Sequence, residues 1–208
     1  MGQKIHPRGF RLGQTHTWSS RWFATGRQYR EFLRQDLKLR EKLFAKLKLA
    51  GLAQVDIERS INKVGVTLFV AKPGMVIGRG GSGLEELKKF IEQFFTDAKL
   101  KIEVTVEPVK EPNLNARLVA SNIADGLAKR LPHKRVCNQA LARVLGAGAK
   151  GVRIVLGGRI GGAEIARREK YQAGTIPLST IREEVDYASV PSLTRSGYVG
   201  VKVWICRK

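Results

Sequence analysis

The period of the apolar positions changes along the chain, and each change predicts an element. Between 27 and 50, Tyr29, Phe32, Leu33, Leu37, Leu43, Phe44 and Leu47 recur at helical spacing among Arg, Lys and Glu. That pattern predicts an amphipathic helix, with Gly51 as its C-terminal stop. The period then falls to two. In AQVDIERS, Val55 and Ile57 alternate with Gln54, Asp56 and Glu58, and in GVTLFVAK Val66, Leu68 and Val70 repeat the alternation. These are two strands joined by a short turn around Asn62-Lys63. Pro73-Gly74 ends the second strand, and Met75, Val76 and Ile77 make one or two turns of helix. After a run of glycines, Leu84, Leu87, Ile91 and Phe94 stripe a helix that reaches about Phe95. KIEVTVEPV, with Ile102, Val104 and Val106 inward, is a third strand.

Pro108 and Pro112 flank a linker. Beyond it Leu114, Leu118, Val119, Ile123 and Leu127 predict a helix, Leu131-Pro132 break it, and Val136, Ala140, Leu141, Val144 and Leu145 predict another. From Val152 the pattern is of strands: GVRIVLGG, residues 165–172, REEVDYASV and the closing GYVGVKVWICRK, interrupted by Gly157-Gly158-Arg159-Ile160-Gly161-Gly162. Residues 1–26 carry Gly, Pro, basic and aromatic residues (Trp18, Trp22, Phe23) with no period, and read as an arm that orders on a partner. There is no internal repeat and no low-complexity block. The expected layout is α+β in three parts: an arm over 1–26, a first domain over 27–109, and a C-terminal α+β domain over 110–208 whose sheet is mostly antiparallel.

Charge narrows the class of partner. Lys and Arg number 38 against 18 Asp and Glu, a formal net charge of +20 with a pI near 10.5. Solubility of a small domain needs only about 2–8 charges, so this excess points to a polyanion that neutralises it. The hydrophobic fraction of 43% supports a packed core rather than a disordered tail. Cys137 and Cys206 are far apart and read as reduced, half-buried apolar residues. His6, His16 and His133 share no ligand spacing with each other or with the cysteines, so no metal is expected. The N-terminus has no apolar core of a signal peptide, and His6 breaks the myristoylation pattern. Runs such as VTLFVA are too short for a bilayer.

The glycine run supports two readings. Gly78-Arg79-Gly80-Gly81-Ser82-Gly83 matches G-x-G-x-x-G, the dinucleotide fingerprint, and Gly78-Arg79-Gly80-Gly81 matches G-x-x-G, the backbone clamp of KH domains. The dinucleotide fold needs a strand running straight into the first glycine, and here Lys72-Pro73-Gly74 and the following short turn intervene. Glu103 has the right spacing for a ribose contact but sits mid-strand. A P-loop is also excluded, because Gly74 and Gly78 enclose three residues and Arg79 follows. Helix, strand, strand, short helix, G-x-x-G, helix, strand is the order of a type II KH domain. Glycines remove Cβ atoms so that the backbone can reach phosphate oxygens, and a helix N-terminus after the loop favours an anion. Arg79 in the loop, Lys72 before it, and Lys88 and Lys89 on the following helix add charge. The clamp holds backbone rather than reading sequence, so phosphate contact and shape dominate.

Enzymatic readings are weak. Glu183, Glu184 and Asp186 form the one tight carboxylate cluster, but Glu183 and Glu184 fall on opposite faces of a strand over 181–188. A polar strand face paired with Arg182 or Arg195 explains them. No nucleophile motif is present and no cofactor is expected.

GQKIHPRGFRLG at the start, VIGRGG in the loop, then LGAGAKG, GRIGGAEIAR and the closing GVKVWI together resemble the bacterial-type family of small-subunit ribosomal protein S-three, in order and over the whole chain. The resemblance implies a structural ribosomal protein at the solvent side of the small-subunit head, in a cytoplasmic or organellar ribosome. It implies contact with the 3′ major domain of small-subunit rRNA, packing against ribosomal proteins S-ten and S-fourteen, and a lining of the mRNA channel shared with S-four and S-five. It places Arg130, Lys134 and Arg135 toward incoming mRNA, whose helices they help to open without nucleotide hydrolysis. Asn138 stands where the family usually has a further basic residue. Lys4, Arg8 and Arg11 of the arm, and Arg159, Arg167, Arg168 and Lys170 of the GRIGGAEIARREK stretch, are expected to meet RNA. The alternative reading is a free KH-type RNA-binding regulator or chaperone, which would need only the KH part.

Overall fold

The structure is a computed structural model that describes residues 4–95 and 101–207; Met1–Gln3 of the opening motif and the closing Lys208 lie outside the described residues. In chain order, α1 (Pro7–Phe10) and the two-residue β1 (Ser20–Arg21) precede α2 (Gly26–Lys46), β2 (Leu52–Arg59), β3 (Lys63–Val70), α3 (Pro73–Ile77), α4 (Ser82–Glu92) and β4 (Lys101–Pro108). Then come α5 (Ala116–Ala128), α6 (His133–Gly146), β5 (Gly151–Gly158), β6 (Arg167–Gly174), β7 (Val185–Thr194) and β8 (Gly197–Cys206). These elements form two compact units, Trp18–Lys110 and the residues up to Thr17 together with those from Glu111 on.

In the first unit the sheet order is β1-β2-β3-β4, with β2 antiparallel to β3 and β4 parallel to it. Register puts Val55 opposite Leu68, Ile57 opposite Val66, and Val66 opposite Val104, so one face of the sheet is apolar row by row. Leu39 and Leu43 of α2, Val76 of α3, and Leu87 and Ile91 of α4 close over it. This is the α+β arrangement of a type II KH domain. Segment 18–25 belongs here: Ser20 and Arg21 pair with Ile57 and Glu58. Trp22 donates its indole N–H to Asp36 at 2.8 Å, and the Asp36 carboxylate is also ion-paired to Arg59, both side chains being buried. The Arg59 guanidinium lies 4.4 Å from the Phe32 ring centre. A buried pair of this kind costs about 3–5 kcal/mol to break from one side, because the other charge is left unpaired.

In the second unit the sheet order is β6-β5-β8-β7, antiparallel throughout. Val152, Ile154, Leu156, Val201, Val203 and Ile205 face α5 and α6, where Ile123, Leu127, Cys137 and Val144 complete the core. Asn115 caps α5 by accepting from the amides of Arg117 and Leu118, and the Asp186 carboxylate accepts from the Ala116 amide at 2.8 Å.

Several elements depart from the sequence pattern. Residues 4–17 do not wait for a partner; they fold onto this unit. Arg11 anchors them. Its side chain is fully buried and donates to the carbonyls of Pro7 (3.1 Å), Glu183 (2.7 Å), Pro177 (3.1 Å), Leu178 (3.1 Å) and Thr180 (2.9 Å). Arg11, expected at an RNA surface, therefore offers no donor to a phosphate. β7 begins at Val185, not at Arg182, and Glu183 and Glu184 sit just ahead of it. They pair with Lys150 and Arg207 rather than with Arg182 or Arg195, because the sheet's end brings those cations alongside. The 165–172 stretch is paired over 167–174, where the Gly151–Gly158 register holds it. Both cysteines are buried outright rather than half-buried.

Candidate nucleic-acid interface

Each glycine of the 78–83 run has its own reason. The Gly78 amide closes α3 by donating to Gly74 O at 3.1 Å, and Gly78, Gly80 and Gly81 have φ of 70°, 61° and 85°. L side chains rarely adopt that region, so the loop's path requires glycine there. Around a Cβ built at Gly80 or Gly81 there is nothing within 4 Å, so the bare backbone faces open space. Gly83 is different: its Cβ would lie 2.5 Å from the Val76 carbonyl oxygen, so it lets α3 and α4 approach.

Gly81 precedes α4, and no side chain caps that helix; the Ser82 hydroxyl donates back to Arg79 O at 3.1 Å instead. The Ser82 amide also donates to Arg79 O, and the first-turn amides beyond it face the loop at the positive end of the helix dipole. Lys72, Arg79, Lys88 and Lys89 are all exposed. Met75 and Ile77 are exposed on α3 as well, 58% and 37%. They are an apolar shoulder beside the clamp that sequence reasoning assigned only to a turn. Helical period alone does not tell an exposed apolar residue from a core one.

At the turn from α5 to α6, Arg130 has φ of 61°, the one described non-glycine residue with positive φ. Its amide donates to Leu127 O at 3.0 Å, and the Leu131 amide donates to Gly126 O at 3.1 Å, a closing turn in which glycine usually takes that place. Arg130 is exposed, as are Lys134 and Arg135 at the start of α6 and Asn138 one turn beyond Lys134. The turn also borders a cleft of about 350 Å³ lined by His133, Arg159, Gly161, Gly162, Thr194 and Arg195, among others.

The remaining expected contacts divide. Lys4, Arg168 and Lys170 are exposed, and Arg8 is half-buried. Arg159 bonds to Ala163 O at 2.9 Å, and Arg167 pairs with Glu169 at 2.8 Å. The Tyr171 hydroxyl donates to Glu169 at 2.6 Å, and with His133 and Arg167 beside it the carboxyl is held below its usual range. Sequence reasoning passed over Arg153 and Lys202, whose outward placement follows from the period of two in their strands. Both cysteines are poor nucleophiles: burial pushes the Cys137 thiol up to about 12 and raises that of Cys206. No helix among the described residues is long and apolar enough to cross a membrane.

Comparison with known proteins agrees with this geometry. Residues 38–114 match the KH domain family, and residues 123–205 match the family described as ribosomal protein S3, C-terminal domain. A small ribosomal subunit protein uS3 from Persephonella marina is 47% identical over 205 residues, covering 99% of this chain and 89% of the relative. The same protein from Caldicellulosiruptor saccharolyticus is 46% identical, covering 99% and 91%. The one from Bacillus thuringiensis (strain Al Hakam) is 45% identical over 207 residues, covering 100% and 93%. With both units matched and relatives aligned from end to end, the chain belongs to the uS3 family of small ribosomal subunit proteins, structural components of the ribosome rather than enzymes.

Proposed function

We propose that the chain grips small-subunit rRNA, in its 3′ major domain, by the backbone of Gly78-Arg79-Gly80-Gly81, and turns Arg130, Lys134 and Arg135 toward incoming mRNA. The observation that carries the reading is the loop itself: glycine backbone facing open space at an uncapped helix start, with Lys72, Arg79, Lys88 and Lys89 exposed around it. Such a clamp suits a phosphodiester chain, which supplies the anions and accepts from amides. For the mRNA side, the left-handed Arg130 is a specific support. Holding a non-glycine residue there costs about 1 kcal/mol, and such strain gathers at working positions.

Arg159, Arg167, Arg168 and Lys170, with Lys4 and Arg8 of the arm, belong to the same reading as further RNA contacts; Arg11 does not. S-ten and S-fourteen as packing neighbours, and S-four and S-five across the channel, are proposed from the family resemblance. Exposed Tyr29, Leu33 and Leu37 along α2 are apolar surface of the kind a protein neighbour covers.

A filter-binding titration with a transcript of the rRNA 3′ major domain tests the clamp. Gly81→Asp puts a carboxylate where the phosphate would sit, and affinity should fall roughly tenfold, the scale of a charge-assisted hydrogen bond lost and a repulsion gained. Unchanged affinity would remove the loop from the interface.

A further inference from the structure

One face of the C-terminal sheet is covered by α5 and α6; the other carries a pattern that the KH clamp does not explain. Register defines it in rows. Gln172, Arg153, Trp204 and Tyr187 lie side by side across the four strands; the next row is Lys170, Val155, Lys202 and Ser189; the third is Arg168, Gly157, Gly200 and Pro191. Lys170 and Lys202 flank Val155 on neighbouring strands. Val155 between them and Trp204 in the row before are buried with Ile176, Val185 and Cys206, so what this face leaves open is mainly its cations. Gly157 and Gly200 leave the third row as open backbone, with nothing within 4 Å of a Cβ at Gly157. At the aromatic end, the Tyr187 ring stands 5.0 Å from Trp204 and 4.9 Å from His6.

The N-terminal segment turns this face into a groove. Lys4, Ile5, His6, Pro7 and Phe10 form one wall of a cleft of about 620 Å³, and the strands supply Arg153, Arg168, Lys170, Tyr187, Lys202 and Trp204. Among the described lining residues there are five Lys or Arg and no carboxylate. Arg153 is steadied by donating to Gln172 at 3.1 Å. Arg11, buried beneath the segment, holds the wall in place through its bond to Pro7 O.

We propose that this groove is a second RNA site, one that takes a single-stranded segment: phosphates on Lys170, Lys202, Arg168 and Arg153, and an unstacked base against the His6–Tyr187 end. A sheet face with cations and, at one end, an exposed His6 and a half-buried Tyr187 suits a splayed single strand better than a duplex, whose bases are already stacked. A run of Asp and Glu would satisfy the charge but carries no ring, whereas every nucleotide brings an anion and a planar base together. The inference rests on the reading that this chain binds RNA, and adds to it a site in the other unit.

Photocrosslinking of a 4-thiouridine octamer to the full chain, with the adducts mapped by mass spectrometry, tests it. Adducts are expected at peptides carrying Tyr187 or His6, besides those at the 75–89 loop. Lys170→Glu with Lys202→Glu, both exposed, should cut the groove adducts about tenfold or more while loop adducts persist. Tyr187→Leu, which keeps apolar bulk, should cut them roughly fivefold, the scale of one lost stacking contact. Adducts at the loop alone would overturn the groove and leave the clamp standing; adducts at neither would overturn both. Groove labelling that survives the charge reversal would overturn the proposed contacts. Equal competition by a duplex of the same length, or by polyglutamate, would overturn the single-strand assignment.

Discussion

Two glycine turns in this chain have nearly the same backbone. In Arg79-Gly80-Gly81 the two glycines have φ of 61° and 85°; in Ile160-Gly161-Gly162 they have φ of 67° and 85°. What surrounds them separates their roles. The first turn runs directly into an eleven-residue helix with no side-chain cap, and its arginine is exposed. The second turn leads into Ala163 in an extended conformation (φ −55°, ψ 144°), buries Ile160, and has Arg159 bonded to Ala163 O. A glycine turn is therefore a conformation, not a site. Both arginines are exposed; what sets the first turn apart is the helix N-terminus behind it, the feature that suits an anion, while Arg159 is drawn onto a backbone carbonyl.

The largest effect that would break this comparison is on the fold. Gly83→Ala forces a Cβ to within 2.5 Å of Val76 O, so α3 and α4 must part. A loss of about 1–3 kcal/mol is expected, seen as a lower melting temperature of the KH unit. No change in melting would mean the two helices are not fixed by that glycine. Next is binding. Gly162→Asp imposes the same left-handed strain as Gly81→Asp, with only the Ser196 hydroxyl oxygen within 4 Å of its Cβ, at 3.4 Å. It should leave rRNA affinity within about twofold, against the roughly tenfold loss at Gly81. Equal losses at both would mean that turn geometry alone binds.

A smaller effect is expected at the basic start of α6, near the second turn. Small subunits carrying Lys134→Ala with Arg135→Ala should translate a hairpin-containing message a few-fold more slowly, and an unstructured one almost normally. Equal slowing would point to assembly instead. The smallest effect is in acid. The Glu169 carboxyl, held low chiefly by the Tyr171 hydroxyl, stabilises the region of the second turn above its ordinary value of 4.5. That stability is lost as pH falls through the lowered folded value. Tyr171→Phe should remove part of it, so its melting temperature should fall less than wild type's between pH 6 and pH 3. A parallel fall would remove the hydroxyl from the account.

Much of the first unit was legible because its signals are local. A period of two in Val66, Leu68 and Val70, a period near 3.6 in Leu84, Leu87 and Ile91, and a proline-glycine stop between them need no distant partner. Strand ends were less legible. Glu183 and Glu184 extend the alternation of REEVDYASV, yet the ladder starts at Val185, and their carboxylates pair with Lys150 and Arg207 at the sheet's end. The arm was misread for a similar reason. Nothing in a segment without periodicity shows that Arg11 will meet five carbonyls, four of them from Pro177 to Glu183.

The sequence by itself determined the element order from α2 onward, the glycine loop with four basic residues around it, the large positive charge and the family. Each of these depends on spacing within a few residues or on summed charge. Tertiary structure alone decided that Arg11 is an anchor, that Gly83 serves packing while Gly80 and Gly81 serve exposure, and that Arg153, Lys170, Lys202 and Tyr187 share one face. These follow from register and burial: Arg11 meets Glu183 172 positions away, and the sheet face gathers its residues from four strands, pairings that no local pattern specifies.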